Sequence, residues 1–194
     1  MKINLLLLIV IFCALSCKKD NSKATPAAGD FKTGTKWVYK RTVYDESGAV
    51  TSSANITYTI TGQQTLLGEN WQVLSAAGGS GLIRKSPTGF YTVTNNVSQL
   101  QFKLPAALND TWRVTYSSAA GDYSDFTVMA LNENVTVPMG TLACYYIEGN
   151  DSNSLEDKEW YNEANIMVKH IEYNQTANAA LYVNYTEELV SFTP

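Results

Sequence analysis

The stretch "ITYTIT", Ile56 to Thr61, decides the fold class. Ile56, Tyr58 and Ile60 alternate there with Thr57, Thr59 and Thr61. Successive side chains on an extended chain point to opposite faces, so a period of two marks a strand with one dry and one wet face. The β-branched and aromatic residues that fill it also suit a pleated surface. The alternation recurs along the chain. Leu100, Phe102 and Leu104 alternate with Gln99, Gln101 and Lys103; Trp112, Val114 and Tyr116 alternate with Thr111, Arg113, Thr115 and Ser117. Trp37, Tyr39 and Val43 fall on one face, with Lys36, Lys40 and Thr42 on the other. Such clean alternation belongs to antiparallel sheets, because parallel strands are buried on both faces and read as continuous apolar runs.

Turn signals separate the runs. "DESG" (Asp45 to Gly48), "AAGGSG" (Ala76 to Gly81), "SPTG" (Ser86 to Gly89), "AAGD" (Ala119 to Asp122) and "GNDSNS" (Gly149 to Ser154) punctuate the strands. Glycine supplies positive φ, proline presets φ, and Asn or Asp side chains support tight turns. Pro138-Met139-Gly140 reads as a further turn, joining a strand at Val135–Val137 to one at Leu142–Ile147, since proline lacks the amide a central strand needs. Trp160 and Tyr161 precede a turn over Asn162–Asn165, and a strand follows from Ile166 to Tyr173. The chain has no convincing amphipathic helix of three turns. The expectation is an all-β single domain of roughly ten to twelve strands. A meander of that length curls or closes, because a wide flat sheet leaves twist and edges unresolved. The predicted architecture is therefore a strongly curved antiparallel sheet or an open barrel.

The beginning of the chain has a different character. Met1-Lys2 is positively charged, Ile3 to Leu15 is almost wholly apolar, and Ser16 is small. That order is that of a secretory signal, and the apolar run is too short for a bilayer-spanning helix. "KKDNSKATPAAGD", Lys18 to Asp30, has no large apolar side chain and cannot bury enough surface to order itself. Three parts follow: residues 1–16 as signal peptide, 17–30 as flexible tether, 31–194 as β domain. "ALSC", Ala14 to Cys17, resembles a bacterial lipobox, with Ala14 where leucine is more usual. The resemblance implies cleavage before Cys17 and attachment of acyl chains, palmitate among them, to that residue. The expected location is the bacterial envelope, at the outer membrane, and the membrane is then the first partner. "CKKD" resembles the start of many lipoproteins of Bacteroidetes-type bacteria.

Composition narrows the chemistry. The 194-residue chain carries a net charge of −4, which argues against a nucleic-acid partner, since that needs a basic face. Of the three cysteines, Cys13 leaves with the signal and Cys17 is the lipid site, so Cys144 alone remains in the body. One cysteine closes no internal disulfide. In "TLACYYIEG" it sits in an apolar strand and reads as a small packed hydrophobe rather than a nucleophile. His170, the single histidine, lies on a strand in "MVKHIEY". One histidine does not furnish the usual multi-histidine zinc set. "GGSG" at Gly78–Gly81 lacks the spacing of a nucleophile elbow, and no phosphate-binding glycine loop follows a strand. The acid pairs Asp45-Glu46, Glu156-Asp157 and Glu187-Glu188 read as solvated turns and edges. No catalytic, cofactor or metal residue is predicted, and no cofactor.

Four segments carry a wider resemblance: "FKTGTKWVYK", "ALNDTW", "VTVPMGTLACYYI" and "EWYNEANIMVKHIEY". They are similar to a set recurring in uncharacterised secreted or lipid-anchored bacterial proteins. That set has a glycine then W-x-Y, a leucine-rich PL-x-x-G-x-x-W, V-P-x-G-T-F, and W-Y-A-x-G-V-G-x-V-K. This chain has Gly34, Trp37 and Tyr39; Leu108, Asp110 and Trp112; Val137, Pro138, Gly140 and Thr141; and Trp160, Tyr161, Val168 and Lys169. It departs at Leu142, at "NEANIM" and at Asn109-Asp110. The resemblance implies a β-rich domain akin to the half-barrels of lipoprotein carriers, and no activity. Trp37, Trp71, Trp112 and Trp160 read as core anchors, given the area a tryptophan buries. The leading functional expectation is a non-enzymatic envelope module binding an apolar or amphipathic ligand, or an envelope protein, in the concave side of its sheet. The alternative is a glycan-binding or outer-membrane assembly accessory. A hydrolase using His170 is the least favoured.

Overall fold

The computed structural model describes residues 31–116, 123–151, 155–164 and 166–194. The signal segment, the tether, Cys17 and the turn at Ala119–Asp122 lie outside them. The described residues form twelve strands and no helix. These are β1 (Lys36–Tyr44), β2 (Val50–Leu66), β3 (Glu69–Ala76), β4 (Gly79–Ser86), β5 (Gly89–Thr94) and β6 (Val97–Lys103). There follow β7 (Thr111–Thr115), β8 (Tyr123–Val137), β9 (Gly140–Asn150), β10 (Leu155–Asn162), β11 (Ile166–Gln175) and β12 (Leu181–Thr193). All belong to one sheet in the order β6-β5-β4-β3-β2-β1-β12-β11-β10-β9-β8-β7, antiparallel at every pairing. Each strand thus lies beside its sequence neighbour, and the first and last strands pair in the middle of the sheet.

The sheet rolls until its two edges, β6 and β7, face each other. No backbone ladder joins them. Side chains bridge the seam instead: Gln99 accepts from the Thr115 amide at 3.4 Å, and Asn95 donates to the Tyr116 carbonyl at 3.4 Å. The Phe102 ring meets Trp112 edge-on across it, centroids 6.4 Å apart. Phe102 also stacks on Tyr161 of β10 at 4.8 Å, so the concave face closes on itself. The expected open barrel is what the chain forms.

Turn chemistry follows the sequence with two refinements. Gly34 and Gly140 both take positive φ, 98° and 133°, conformations that cost glycine least. The expected turn at Pro138-Met139-Gly140 is a two-residue connection, Pro138-Met139, and its strands begin at Tyr123 rather than Val135 and at Gly140 rather than Leu142. "AAGGSG" is not an open loop. Only Ala77-Gly78 turn, and Gly79 to Gly81 pair with β3.

β-Bulges account for most departures from simple alternation. Phe90 pairs with Phe102 but Tyr91 pairs with Leu100, with a register shift between them. Leu100 is thereby carried to the opposite face from Phe102, since an extra residue on one strand reverses its alternation. Trp37 and Trp160 are buried in the core cluster and Trp112 packs against it. Trp71 is fully buried, as expected, but lies outside that cluster. Its neighbour Gln72 pairs with core residue Ile83, so Trp71 faces the convex side. There it is fully buried, with its indole N–H on the Leu66 carbonyl at 3.0 Å and the Arg84 guanidinium 5.1 Å from its ring centroid. Leu108 of the resemblance motif is 54% exposed and anchors no core.

Phe102→Ala is expected to cost about 3–5 kcal/mol, the range for emptying a buried aromatic site. Leu108→Ala should change stability by no more than about 0.5 kcal/mol. Urea denaturation of the two variants checks the contrast.

Candidate functional site

The concave face divides into unlike ends. At the end where β1 starts, Phe31, Trp37, Phe90, Phe102, Tyr161 and Val168 pack as apolar filling. Toward the other end the same face carries charge. Glu159 of β10 lies opposite His170 of β11, His170 opposite Glu187 of β12, and Glu187 opposite Arg41 of β1. One step further, Asp157 pairs with Glu172 and Glu172 with Tyr185. Directly paired residues share a face with their Cβ atoms close together, so four neighbouring strands assemble this box. Arg41, two residues from both Tyr39 and Val43, shares their face and turns its charge inward toward Glu187.

His170 Nε2 lies 2.6 Å from Asp157 Oδ1, and the two residues are 9% and 7% exposed. The ring stands edge-on to Tyr185, centroids 5.3 Å apart. Burial alone pushes the imidazole down, but the Asp157 hydrogen bond and the charges of Glu159, Asp157 and Glu187 outweigh it and hold His170 above its ordinary value. Burial pushes the Glu159 carboxyl up to about 7, with His170 opposing and Asp157 adding to the shift. Glu187 is 3% exposed and takes Arg41 Nε at 2.9 Å and Nη2 at 2.8 Å. Arg41 also lies over the Tyr185 ring at 4.6 Å. Glu172 accepts from Asn184 Nδ2 at 2.7 Å. Beside the box, the fully buried Ser124 donates to Glu156.

Two readings of the acid pairs are therefore corrected. Asp157 and Glu187 are buried rather than solvated, because the sheet rolls their face inward. Glu156 is half-buried at the irregularity where Leu155 pairs with Asn150 but Asp157 with Gly149. His170 is a buried strand residue hydrogen-bonded to Asp157. Among the described residues its hydrogen bond runs to the acid Asp157 and none joins it to a serine. Cys144 is 1% exposed, and its thiol is pushed up to about 12 by burial and then by Glu133. It packs, as its strand context indicated.

A second feature lies at the apolar end. A hollow of about 390 Å³ opens between the Phe31-Lys32 segment and β2, β3 and β4, lined also by Gln63, Asn70, Gln72, Arg84 and Lys85. Phe31 forms its aromatic wall, fixed by stacking on Phe90 at 5.9 Å and by an edge contact with Trp37 at 5.2 Å. Lys85 Nζ donates to the Glu163 carbonyl at 3.1 Å, and Arg84 Nη2 pairs with Glu69 at 2.5 Å. No motif marks this hollow in the chain, because its residues come from four separate segments and none is unusual by itself.

No protein-family model matches the chain and no curated protein matches it. Among solved structures, an inferred exported protein with a YmcC-like fold from Bacteroides fragilis aligns with a TM-score of 0.47 at 13% identity, over 84% of this chain and 97% of its own. An inferred lipoprotein from Parabacteroides distasonis aligns with a TM-score of 0.38 at 16% identity, over 84% of this chain and 96% of its own.

Arg41→Ala would leave the Glu187 carboxylate buried without its partner. A loss of about 2–3 kcal/mol is expected, below the full value for a buried pair because Arg41 is itself partly exposed. Chemical denaturation measures it, and Arg113→Ala, which breaks the exposed pair with Asp125, should leave the midpoint nearly unmoved. Iodoacetamide at pH 8 should leave Cys144 unlabelled in the folded protein and label it after unfolding, read by peptide mass.

Proposed function

We propose that this chain is a lipid-anchored envelope protein that binds, without chemical turnover, an amphipathic ligand bearing an anionic group. The observation that carries the reading is the hollow against Phe31. Its volume falls within the range of small-molecule sites. Its lining combines Lys32 and Lys85 with the amides of Gln63, Asn70 and Gln72, and one aromatic wall. Lysines and amides would have to lose water to an apolar guest without return, which is costly; an anionic, hydrogen-bonding guest compensates them, and its apolar part lies on Phe31. This narrows the broader expectation of an apolar or amphipathic ligand. For the glycan-platform alternative, two open coplanar rings would be needed. The coplanar pairs Trp112–Phe126, Tyr146–Trp160 and Phe102–Tyr161 instead stack on each other.

Attachment through Cys17 at the outer membrane rests on the lipobox-like "ALSC". Several acyl chains, at about 0.8 kcal/mol per buried CH₂, hold a protein firmly to a bilayer. The anchor segment lies directly before Phe31 in the chain, so the hollow sits where the tether joins the body.

Native mass spectrometry of the full lipidated protein in detergent should find an adduct of small-molecule mass, and Lys85→Glu should lower its occupancy at least fivefold. A single bare lipidated mass, or an adduct indifferent to Lys85→Glu, would overturn the binding assignment. In cells, Cys17→Ser should move the protein out of the membrane fraction; continued acylation and membrane attachment would overturn the anchor.

A further inference from the structure

The charged box holds a set of side chains that the ligand-binding reading does not use. Asp157, His170 and Glu172 each offer one ligand atom, and those atoms all lie within 4.8 Å of one another. Two of the three residues are buried and one is an imidazole, which separates the set from an ordinary exposed acidic patch. Adjacent strands fix the spacing: Asp157 faces Glu172 across the β10–β11 pairing, and His170 is two residues from Glu172 on the same face. Two of the ligands are also oriented from outside the set. Asn184 and the Tyr185 side chain both hydrogen-bond to Glu172, and the Tyr185 ring stands edge-on to the His170 ring. Partners of this kind are what align ligands in metal sites.

Charge points the same way. Asp157, Glu159, Glu172 and Glu187 share the face, whereas the facing cations are Arg41 and, when protonated, His170. Arg41 is committed to Glu187. Glu159 hydrogen-bonds to Tyr161, so Asp157 and Glu172 face a single imidazole, and buried charges need pairing or a metal.

We propose that Asp157, His170 and Glu172 form a binding site for a divalent transition-metal cation of the zinc class. One imidazole nitrogen and two carboxylate oxygens are poorer in histidine than the usual zinc sets, but they still supply three protein ligands and leave a fourth position open. Zinc bonds to nitrogen and oxygen are about 2.0–2.2 Å, so the ion takes the place of the proton shared by His170 and Asp157, their 2.6 Å contact widens, and Glu172 closes in. Half-buried Glu172 is the entry side. This inference is independent of the hollow at the other end of the sheet and of what fills it.

Because His170 is the chain's one histidine, its ring nitrogens can be followed without assignment in ¹⁵N-labelled full-length protein carrying no histidine tag. One equivalent of Zn²⁺, with no other ligand added, should move the Nε2 resonance to a metal-bound position. Glu172→Gln should weaken Zn²⁺ binding at least tenfold by calorimetry, while Glu69→Gln, far from the box, leaves it unchanged. An imidazole resonance unmoved by ten equivalents of Zn²⁺ in the wild-type protein would overturn the site and assign the box to a shared proton. Equal affinity in Glu172→Gln with unaltered circular dichroism would also overturn it, placing any ion elsewhere.

Discussion

Phe102 belongs to an edge strand, yet its ring stacks on Tyr161 of β10, eight places away along the sheet order. That contact requires the sheet to roll. A sheet of twelve strands has too much twist and too much unpaired edge to stay open, and rolling brings the aromatic filling of both halves together. Phe31, Phe90, Phe102 and Tyr161 form a stacked chain through the interior. Apolar burial of this kind is the main favourable contribution to folding, and here it also sets the curvature. Every other feature of the concave face depends on that curvature.

Once the sheet is rolled, residues that would be wet on a flat sheet become enclosed. The charged row Glu159, His170, Glu187, Arg41 lies across four adjacent strands. On an open surface these groups would contribute little. Inside the barrel, burial raises Glu159 to about 7 and the surrounding acids hold His170 above its ordinary value. The apolar end contributes stability; the polar end is where chemistry is possible. The two ends thus differ in kind: an aromatic base with a hollow beside Phe31 at one end, and a charged box at the other.

The seam has its own logic. β1 and β12 pair in the sheet centre, so the chain termini do not form its edges. The edges are β6 and β7, and the short connection from Lys103 to Thr111 spans between them. Lys103 pairs with Asp110 at 2.9 Å, and Asp110 also accepts from the Ala107 amide at 2.8 Å. The connection is thus braced by the residue that replaces the middle of the PL-x-x-G-x-x-W pattern.

Much of this was legible in the residues themselves. Alternation in "ITYTIT" and "TWRVTY" determined that the chain makes antiparallel strands, because side-chain direction on a strand is a local property. Turn residues marked many of the strand ends, and Pro138 located one hairpin, whose strands run from Tyr123 and from Gly140. The inward charge was not legible. Which face of a strand becomes concave is decided by the rolling of the whole sheet, and a bulge at a single position, as between Phe90 and Leu100, reverses the alternation on which the reading rests. The placement of Trp71 on the convex side and the meeting of Asp157, His170 and Glu172 were therefore settled only in the tertiary structure, since both depend on register between strands and register is a pairwise, non-local property.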